Sequence, residues 1–548
     1  MEEEIKKDKK QTFMNGVMTL IFSQIIVKLV GIVYKVYLTN RYGFGDTGNA
    51  IYNGGYQIYA LLLLISSIGI PNAISKLVSE RTSVGDYKGA DRVFNVSLAI
   101  LGAIGTLGSL ILFCGSGFIA NVMLDIPESA ITLKILSPAI VLVAISSVIR
   151  GYFNGRSQMK PTGYSQGLEQ ILKTVLTVII VEIAAHQTQN SVVAMAAGAT
   201  AATTLSVVGS LLYIIKYYWN RKDEFCAEME EQTVESRKET TKQVIKRILQ
   251  ISIPASLTSI VTSINKNIDS FTVVRGLKKI TSTEEAKKLY GILTGKTDML
   301  TALPLAFTIA FATALVPNIS SAKARGDKKE IGKRIKSSFL YTMLIGMPCA
   351  FGLFTFAGPI FSLIFPNASE GASILRAVSM VVVFTTVTQT LSGSLQGLGN
   401  YKAPVVGLVV GVIVKTILNL IIIPIKGIGI YGATLSTLVC QGISFGIEFM
   451  VLKKMTNIKF DKVKYFIKPV SAAIIMSLGG YVSYFIAGKI LPGRIATLIG
   501  LMLSVIIYVA AIIGLNILSK EEIKDMPKGN AIYNFLVRIG IYKEEVTE

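Results

Sequence analysis

The chain has 548 residues, of which 51% are apolar and 16% charged, with a mean hydropathy of +0.55. A soluble protein of this length would carry about 25% charged residues, so a soluble globular chain is excluded and an integral membrane protein is indicated. The net charge of +21 would suit a nucleic-acid binder. The basic residues, however, sit in short loops between apolar runs, a pattern that reports membrane orientation instead.

Met1 to Lys10 is charged and the apolar segment after it is long enough to span, so no cleavable signal peptide is expected. A helix needs about 20 apolar residues to cross a bilayer. About fourteen such runs follow in order: 13–38, 50–74, 93–115, 130–149, 162–186, 191–215, 248–274, 291–316, 338–364, 371–392, 403–424, 430–452, 466–488 and 494–518. Lys and Arg concentrate in the N-terminus, in the loops after even-numbered spans and in the C-terminal tail, which places both termini in the cytoplasm.

The chain also repeats itself. Gly151, Gly155, Lys160, Ile171, Lys173, Thr174, Leu176, Ile179 and Ile180 recur 242 residues later as Gly393, Gly397, Lys402, Ile413, Lys415, Thr416, Leu418, Ile421 and Ile422. A second echo sets Ile70-Pro71-Asn72 and Gly85-Asp86 against Val316-Pro317-Asn318 and Gly326-Asp327. Halves repeated in this way are a usual plan for membrane transporters. The expected fold is therefore an all-α polytopic membrane protein of about 14 transmembrane helices, two six-helix repeats plus two C-terminal helices.

Residues 1–215 form the N-terminal half, 216–247 a cytoplasmic linker, 248–455 the C-terminal half, 456–518 helices 13 and 14, and 519–548 a cytoplasmic tail. The linker, rich in Glu and Lys, reads as a solvated and partly helical segment along the membrane surface. In the tail, Ile532, Phe535, Leu536 and Ile539 sit at helical spacing within Ala531–Tyr542, which suits an interfacial helix. Cys114, Cys226, Cys349 and Cys440 have no framework spacing and are expected as free thiols; one histidine, His186, excludes a multi-histidine metal centre.

An ionisable side chain inside a span is disfavoured by about 2.5–3.5 kcal/mol, so each one is a functional candidate. Span 1 carries Gln24, Lys28, Gly31 and Lys35 on one helical face, with Lys28 near mid-membrane and Lys35 close enough to the end to snorkel. Glu169 precedes Lys173 by four residues, a favourable intrahelical pair. Lys415 has Val and Ile neighbours and no such partner. Span 7 holds Asn265, Lys266, Asp269 and Arg275, span 8 opens with Lys296 and Asp298, and span 10 with Arg376. Pairing of Lys266 with Asp269, and of Lys296 with Asp298, is the competing structural reading. Lys28, Lys35 and Lys415 remain, and a water-filled cavity with lysine walls selects anions. Lysine is a compact point charge that suits phosphate.

No HExxH, paired CxxC or GxSxG occurs, so an enzyme is not expected. Gly291-Ile-Leu-Thr-Gly295-Lys296-Thr297 looks like a P-loop, but it has three residues between its glycines where four are required.

Ser23–Lys28-Leu-Val-Gly31, Ile70-Pro71-Asn72-Ala-Ile-Ser75-Lys76 through Glu80, and Arg150-Gly-Tyr-Phe-Asn154-Gly155 through Lys160-Pro161-Thr162 carry a resemblance over nearly the whole chain. It resembles the polysaccharide-transporter branch of the multidrug/oligosaccharidyl-lipid/polysaccharide flippase superfamily. Within that branch it is similar to Gram-positive lipid II flippases of the MurJ type and to stage V sporulation protein B. The resemblance implies export of an undecaprenyl-pyrophosphate-linked sugar across a bacterial cell membrane by alternating access, with membrane lipids and cell-wall synthesis enzymes as partners and a monomeric state. Basic residues of helices 1, 2 and 8 would hold the pyrophosphate. Lys28 matches the first of these, Lys35 approximately and Lys296 more loosely, while Lys76 lies at the cytoplasmic end of helix 2 and departs from the pattern. Some members are sodium-coupled, which would place a sodium ion near Asp269, Asn419 and Thr437.

The substrate-binding set expected is thus Lys28, Lys35, Lys173, Lys296 and Lys415, in a flippase for the peptidoglycan precursor or a spore-cortex counterpart. A cation-coupled multidrug exporter on the same fold is the alternative, and would need acidic cavity walls. A membrane scaffold for cell-wall enzymes is a third possibility, in which Lys28 and Lys415 would tolerate leucine.

Overall fold

In the computed structural model, residues 27, 29–67, 69–236 and 239–524 are described, together with 533, 534 and 537. Lys28 and Gln24 of the first span, and nearly all of the tail helix expected at Ala531–Tyr542, lie outside the described residues. Among the described residues all regular structure is helical, with no strand. This is what a bilayer demands, since each backbone polar group must be paired within its own segment. Nine of the described helices are long and apolar enough to cross a membrane. On several of them large apolar side chains stay exposed, such as Leu478, Met502, Val505 and Ile506, as expected where the solvent is lipid.

The chain forms two compact units. The first takes Met1–Lys296 with Asn419–Ile430, the second Thr297–Leu418 with Tyr431–Glu548. In the first unit, helix α1 covers 29–40, followed by α2 (Gly45–Ser67), α3 (Gly69–Thr82), α4 (Tyr87–Phe118), α5 (Ser129–Gly155), α6 (Lys160–Gln187), α7 (Val192–Trp219), α8 (Lys222–Glu230), α9 (Thr241–Leu277) and α10 (Thr283–Gly291). Its core gathers Ile74, Leu77, Phe94, Val148, Tyr152 and Phe153. Small residues let α5 approach α3 backbone to backbone. A Cβ on Gly151 would lie 3.0 Å from the Pro71 carbonyl, and one on Gly155 would lie 2.7 Å from the Ser75 carbonyl.

The linker is partly helical, as expected, with most of its described side chains exposed, and one ring docks it. Phe225 of α8 is buried among Phe94, Tyr152, Phe153 and Tyr218, with the Tyr152 ring 5.6 Å away edge-on. The Arg156 guanidinium sits 4.2 Å from the Phe225 ring centroid and pairs with Glu228. Farther along, Glu239 receives Arg81 and, at 2.8 Å, Arg247. One buried aromatic ring thus docks an acid-rich helix whose other side chains stay largely exposed, with Glu228 paired to Arg156 beside it.

The second unit contains α11 (Asp298–Ala324), α12 (Lys328–Thr355), α13 (Ala357–Ile364), α14 (Ala372–Gly397), α15 (Lys402–Ile422, whose last turn belongs to the first unit), α16 (Ile430–Thr456, whose first residue belongs to the first unit), α17 (Lys468–Gly488), α18 (Gly493–Gly514) and α19 (Lys520–Lys524). Here too a glycine pair seats one helix on another. A Cβ on Gly393 would meet the Ala312 carbonyl at 2.8 Å, and one on Gly397 the Val316 carbonyl at 3.0 Å. Ala312 thus does in its unit what Pro71 does in the first, and the Pro317 of the expected echo lies five residues farther on. The Gly-Asp echo does occupy matching turns. Gly85 and Gly326 have φ of +80° and +72°, and Asp86 and Asp327 each cap the next helix by accepting from the backbone N–H of Gly89 and Glu330. None of the four cysteines is in a disulfide.

Candidate functional site

Lys296 lies in a π-helical turn, Ile292–Thr297, that follows α10. Such turns shift side-chain register and concentrate at functional positions. Gly291 and Gly295, which imitate a P-loop in the sequence, are instead a packing face. A Cβ at Gly291 would fall 1.8 Å from the Asp46 carbonyl, and one at Gly295 2.6 Å from the Asn49 side chain. This close approach brings the fully buried Lys296 onto Asp46, with Nζ 2.8 Å from Oδ1 and 2.9 Å from Oδ2. Asn49 in turn donates to the Thr39 hydroxyl at 3.0 Å. Asp46 stands outside the apolar runs and was not among the sequence-predicted residues.

Lys173 is also buried. Its expected partner Glu169 is occupied by Arg150 at 2.9 Å, and Arg150 donates further to the Ser165 and Ser210 hydroxyls. The Lys173 ammonium instead lies 5.0 Å from the Tyr34 ring centroid and 4.5 Å from that of Tyr56, and Tyr56 stacks on Tyr52. A ring face supplies part of what a carboxylate would, about 2 kcal/mol when desolvated. Lys35 is half-buried on the same helix as Tyr34. One turn on, Tyr37 and Arg41 converge on Glu182 at 2.5 and 2.9 Å.

Two of the three residues of the expected ion site come together in the first unit. The amide of Asn419 donates to Asp269 Oδ1 at 3.0 Å and to the Thr272 hydroxyl at 2.9 Å. Asn419 is fully buried and its Oδ1 has no hydrogen-bond partner. A carboxylate, an orphan amide oxygen and a hydroxyl are hard oxygen donors that fit a hard cation. Thr437, in the second unit, donates to the Ala433 carbonyl of its own helix at 2.9 Å. Among the described residues no cluster of His, Cys, Asp and Glu is suited to a metal ion.

In the second unit Lys415 is 1% exposed. The sequence reading missed a buried acid there, Glu448 of α16, whose oxygens accept from Ser392 at 2.8 Å and Ser444 at 3.2 Å. A Glu eight residues from a helix end looks like an interfacial residue until its burial is seen.

An architecture that is all-helical among the described residues, with large apolar side chains exposed on its long helices and charged residues buried between them, defines a multi-pass membrane transporter. The chain belongs to the polysaccharide biosynthesis protein family, whose model matches residues 13–323, within the multidrug/oligosaccharidyl-lipid/polysaccharide flippase superfamily. The MatE model matches residues 295–421. These families are transporters and flippases, not enzymes. The chain is 24% identical to the lipid II flippase MurJ of Bacillus subtilis over 80% of its own length and 82% of that protein's. It is 26% identical to stage V sporulation protein B of the same organism over 94% and 98%. Its fold matches the lipid II flippase MurJ in an inward closed conformation with a TM-score of 0.67 and 15% identity, covering 90% of this chain and 98% of that one.

Proposed function

We propose that the chain is a flippase that moves an undecaprenyl-pyrophosphate-linked cell-wall precursor, lipid II, from the inner to the outer leaflet by alternating access. The carrying observation is the sign of the buried charge. Within the predicted spans, the described residues include three buried lysines, Lys173, Lys296 and Lys415, against one buried carboxylate, Glu448. Together with Lys28 and Lys35 these lysines are the proposed pyrophosphate ligands. The Lys296–Asp46 pair is then a resting contact, in which a phosphate oxygen competes with Asp46 for the ammonium. The likeness to the lipid II flippase MurJ over 80% of the chain supports this substrate class. Outward movement of an anion across an inside-negative membrane is favoured by about 2.3 kcal/mol per charge per 100 mV.

The proposed architecture is 14 spans in two six-helix repeats plus two, with both termini cytoplasmic. Parallel seating of the Gly151/Gly155 and Gly393/Gly397 pairs supports the repeat. A sodium ion held by Asp269 and Asn419 is the proposed coupling ion; it would supply charge compensation, while Thr272 orients the Asn419 amide. The competing reading, a cation-coupled multidrug exporter, draws on the MatE match at 295–421. It requires cavity walls dominated by acids, opposite to the balance above.

The test is complementation of a flippase-depleted strain with Lys28→Ala and Lys415→Ala at matched membrane levels, scoring labelled precursor retained inside. Both variants are expected to fail to restore growth. Normal growth with both would remove the lysines from the mechanism and the anion carrier with them.

A further inference from the structure

In the second unit, the first turns of α12 and the turn after α16 enclose an open concave space of about 780 Å³. This is the size of a small-ligand site, for which about 300–1,000 Å³ is typical. Lys328, Lys329, Lys333 and Lys336 line one wall, and Lys459 faces them from the other. Asn457 adopts a left-handed φ of +51° that reverses the chain after α16, and Ile458 is buried beneath the turn. The wall also holds two carboxylates, and both are engaged. Asp327 accepts from the Glu330 backbone N–H at 2.8 Å, and Glu330 is taken by Arg325 and Arg334, each at 2.6 Å. Among the described residues, Lys328, Lys329, Lys336 and Lys459 make no ion pair.

Basic loops at a membrane surface satisfy the orientation rule wherever their lysines point. That rule does not require five of them to converge on one hollow, nor like charges four apart on α12, which repel by about 0.2–0.5 kcal/mol per pair. We propose that this hollow binds a phosphate-bearing anion, at a site separate from the buried lysines and independent of the flippase reading. Ammonium groups on flexible stems suit a phosphoryl group approached from several directions. The phosphate can belong to the headgroup of an anionic phospholipid in the adjoining leaflet or to a soluble polyphosphorylated metabolite.

Two measurements on the full-length protein separate these sources. One is a titration with inorganic pyrophosphate in detergent. The other is the thermal stability gained in phosphatidylglycerol over phosphatidylcholine nanodiscs. Both are run on wild type, on the pocket variant K328Q/K333Q/K336Q/K459Q, and on a charge-matched control, K88Q/K160Q/K216Q/K222Q. Loss of about tenfold or more in pyrophosphate affinity (1.4 kcal/mol) in the pocket variant only supports a soluble ligand. Loss of the phosphatidylglycerol effect in the pocket variant only supports a lipid headgroup. If wild type shows neither response, or if the control loses as much as the pocket variant, the site is overturned.

Discussion

Replacing Asp46 by alanine should destabilise the first unit more than any other single charge removal near the membrane. Lys296 is fully buried and Asp46 is 8% exposed, with both carboxylate oxygens within 2.9 Å of the ammonium. Removing one partner of such a pair strands the other in a low-dielectric site and costs about 3–5 kcal/mol. At about 2–4 °C per kcal/mol for folded units above roughly 150 residues, the midpoint of thermal unfolding should fall by several degrees. The double variant Asp46→Ala/Lys296→Met removes the stranded charge while keeping the apolar stem, so most of the loss should return. Recovery should stop short by about 0.3–1 kcal/mol, because Asp46 also sits in the first turn of α2, where an acid favours the helix dipole. Midpoints of all four members of the cycle, read in detergent by intrinsic fluorescence, give the coupling directly. If Asp46→Ala and the double variant were equally unstable, the loss would come from packing of α2 and the ion-pair argument would fall.

Four further outcomes follow from the packing and the surface. Burial pushes the Glu128 carboxyl up, but the Lys287 hydrogen bond at 2.5 Å and the ammonium's charge outweigh it and hold Glu128 below its ordinary value. Because its folded value is depressed, the clamp's stability is complete above the ordinary carboxylate range (near 4.3) and is lost as pH falls through the folded value. Protection of the amides of residues 278–291, taken relative to their intrinsic exchange rate at each pH, should therefore fall on acidification, and Glu128→Gln should abolish that dependence. Phe225→Ala should open the 222–247 segment to limited proteolysis at unchanged membrane yield, since truncating a buried ring costs about 3–5 kcal/mol. Gly155→Leu and Gly397→Leu should each lower folded yield, because even a Cβ would meet Val78 at 2.7 Å or Ile319 at 2.8 Å. Gly442→Ala, which faces open space, should be neutral or stabilising by about 1 kcal/mol.

The helices and the identity of the costly residues were legible in the sequence for the same reason. Lipid leaves a spanning segment no backbone partner but itself, so long apolar runs mean helices and any lysine inside one stands out. What compensates each lysine was not legible, because compensation is tertiary. Asp46 is 250 positions from Lys296, and the Tyr34 and Tyr56 rings that hold Lys173 lie on two other helices. The i,i+4 rule favoured Glu169 for Lys173, yet Arg150 claims that acid with two serines in support, a choice that only the packing of α5 against both α6 and α7 allows. The glycines show the same division. GxxxG is readable as a place where backbones approach, but at Gly291–Gly295 only the carbonyl of Asp46 tells that the approaching partner is α2 rather than a phosphate. A buried cation with a protein partner and one awaiting a ligand look alike in sequence, so Lys296 is distinguished by whether a pyrophosphate oxygen can displace Asp46. That competition predicts that Asp46→Asn, which keeps the shape and weakens the hold, raises apparent substrate affinity while Asp46→Glu lowers it.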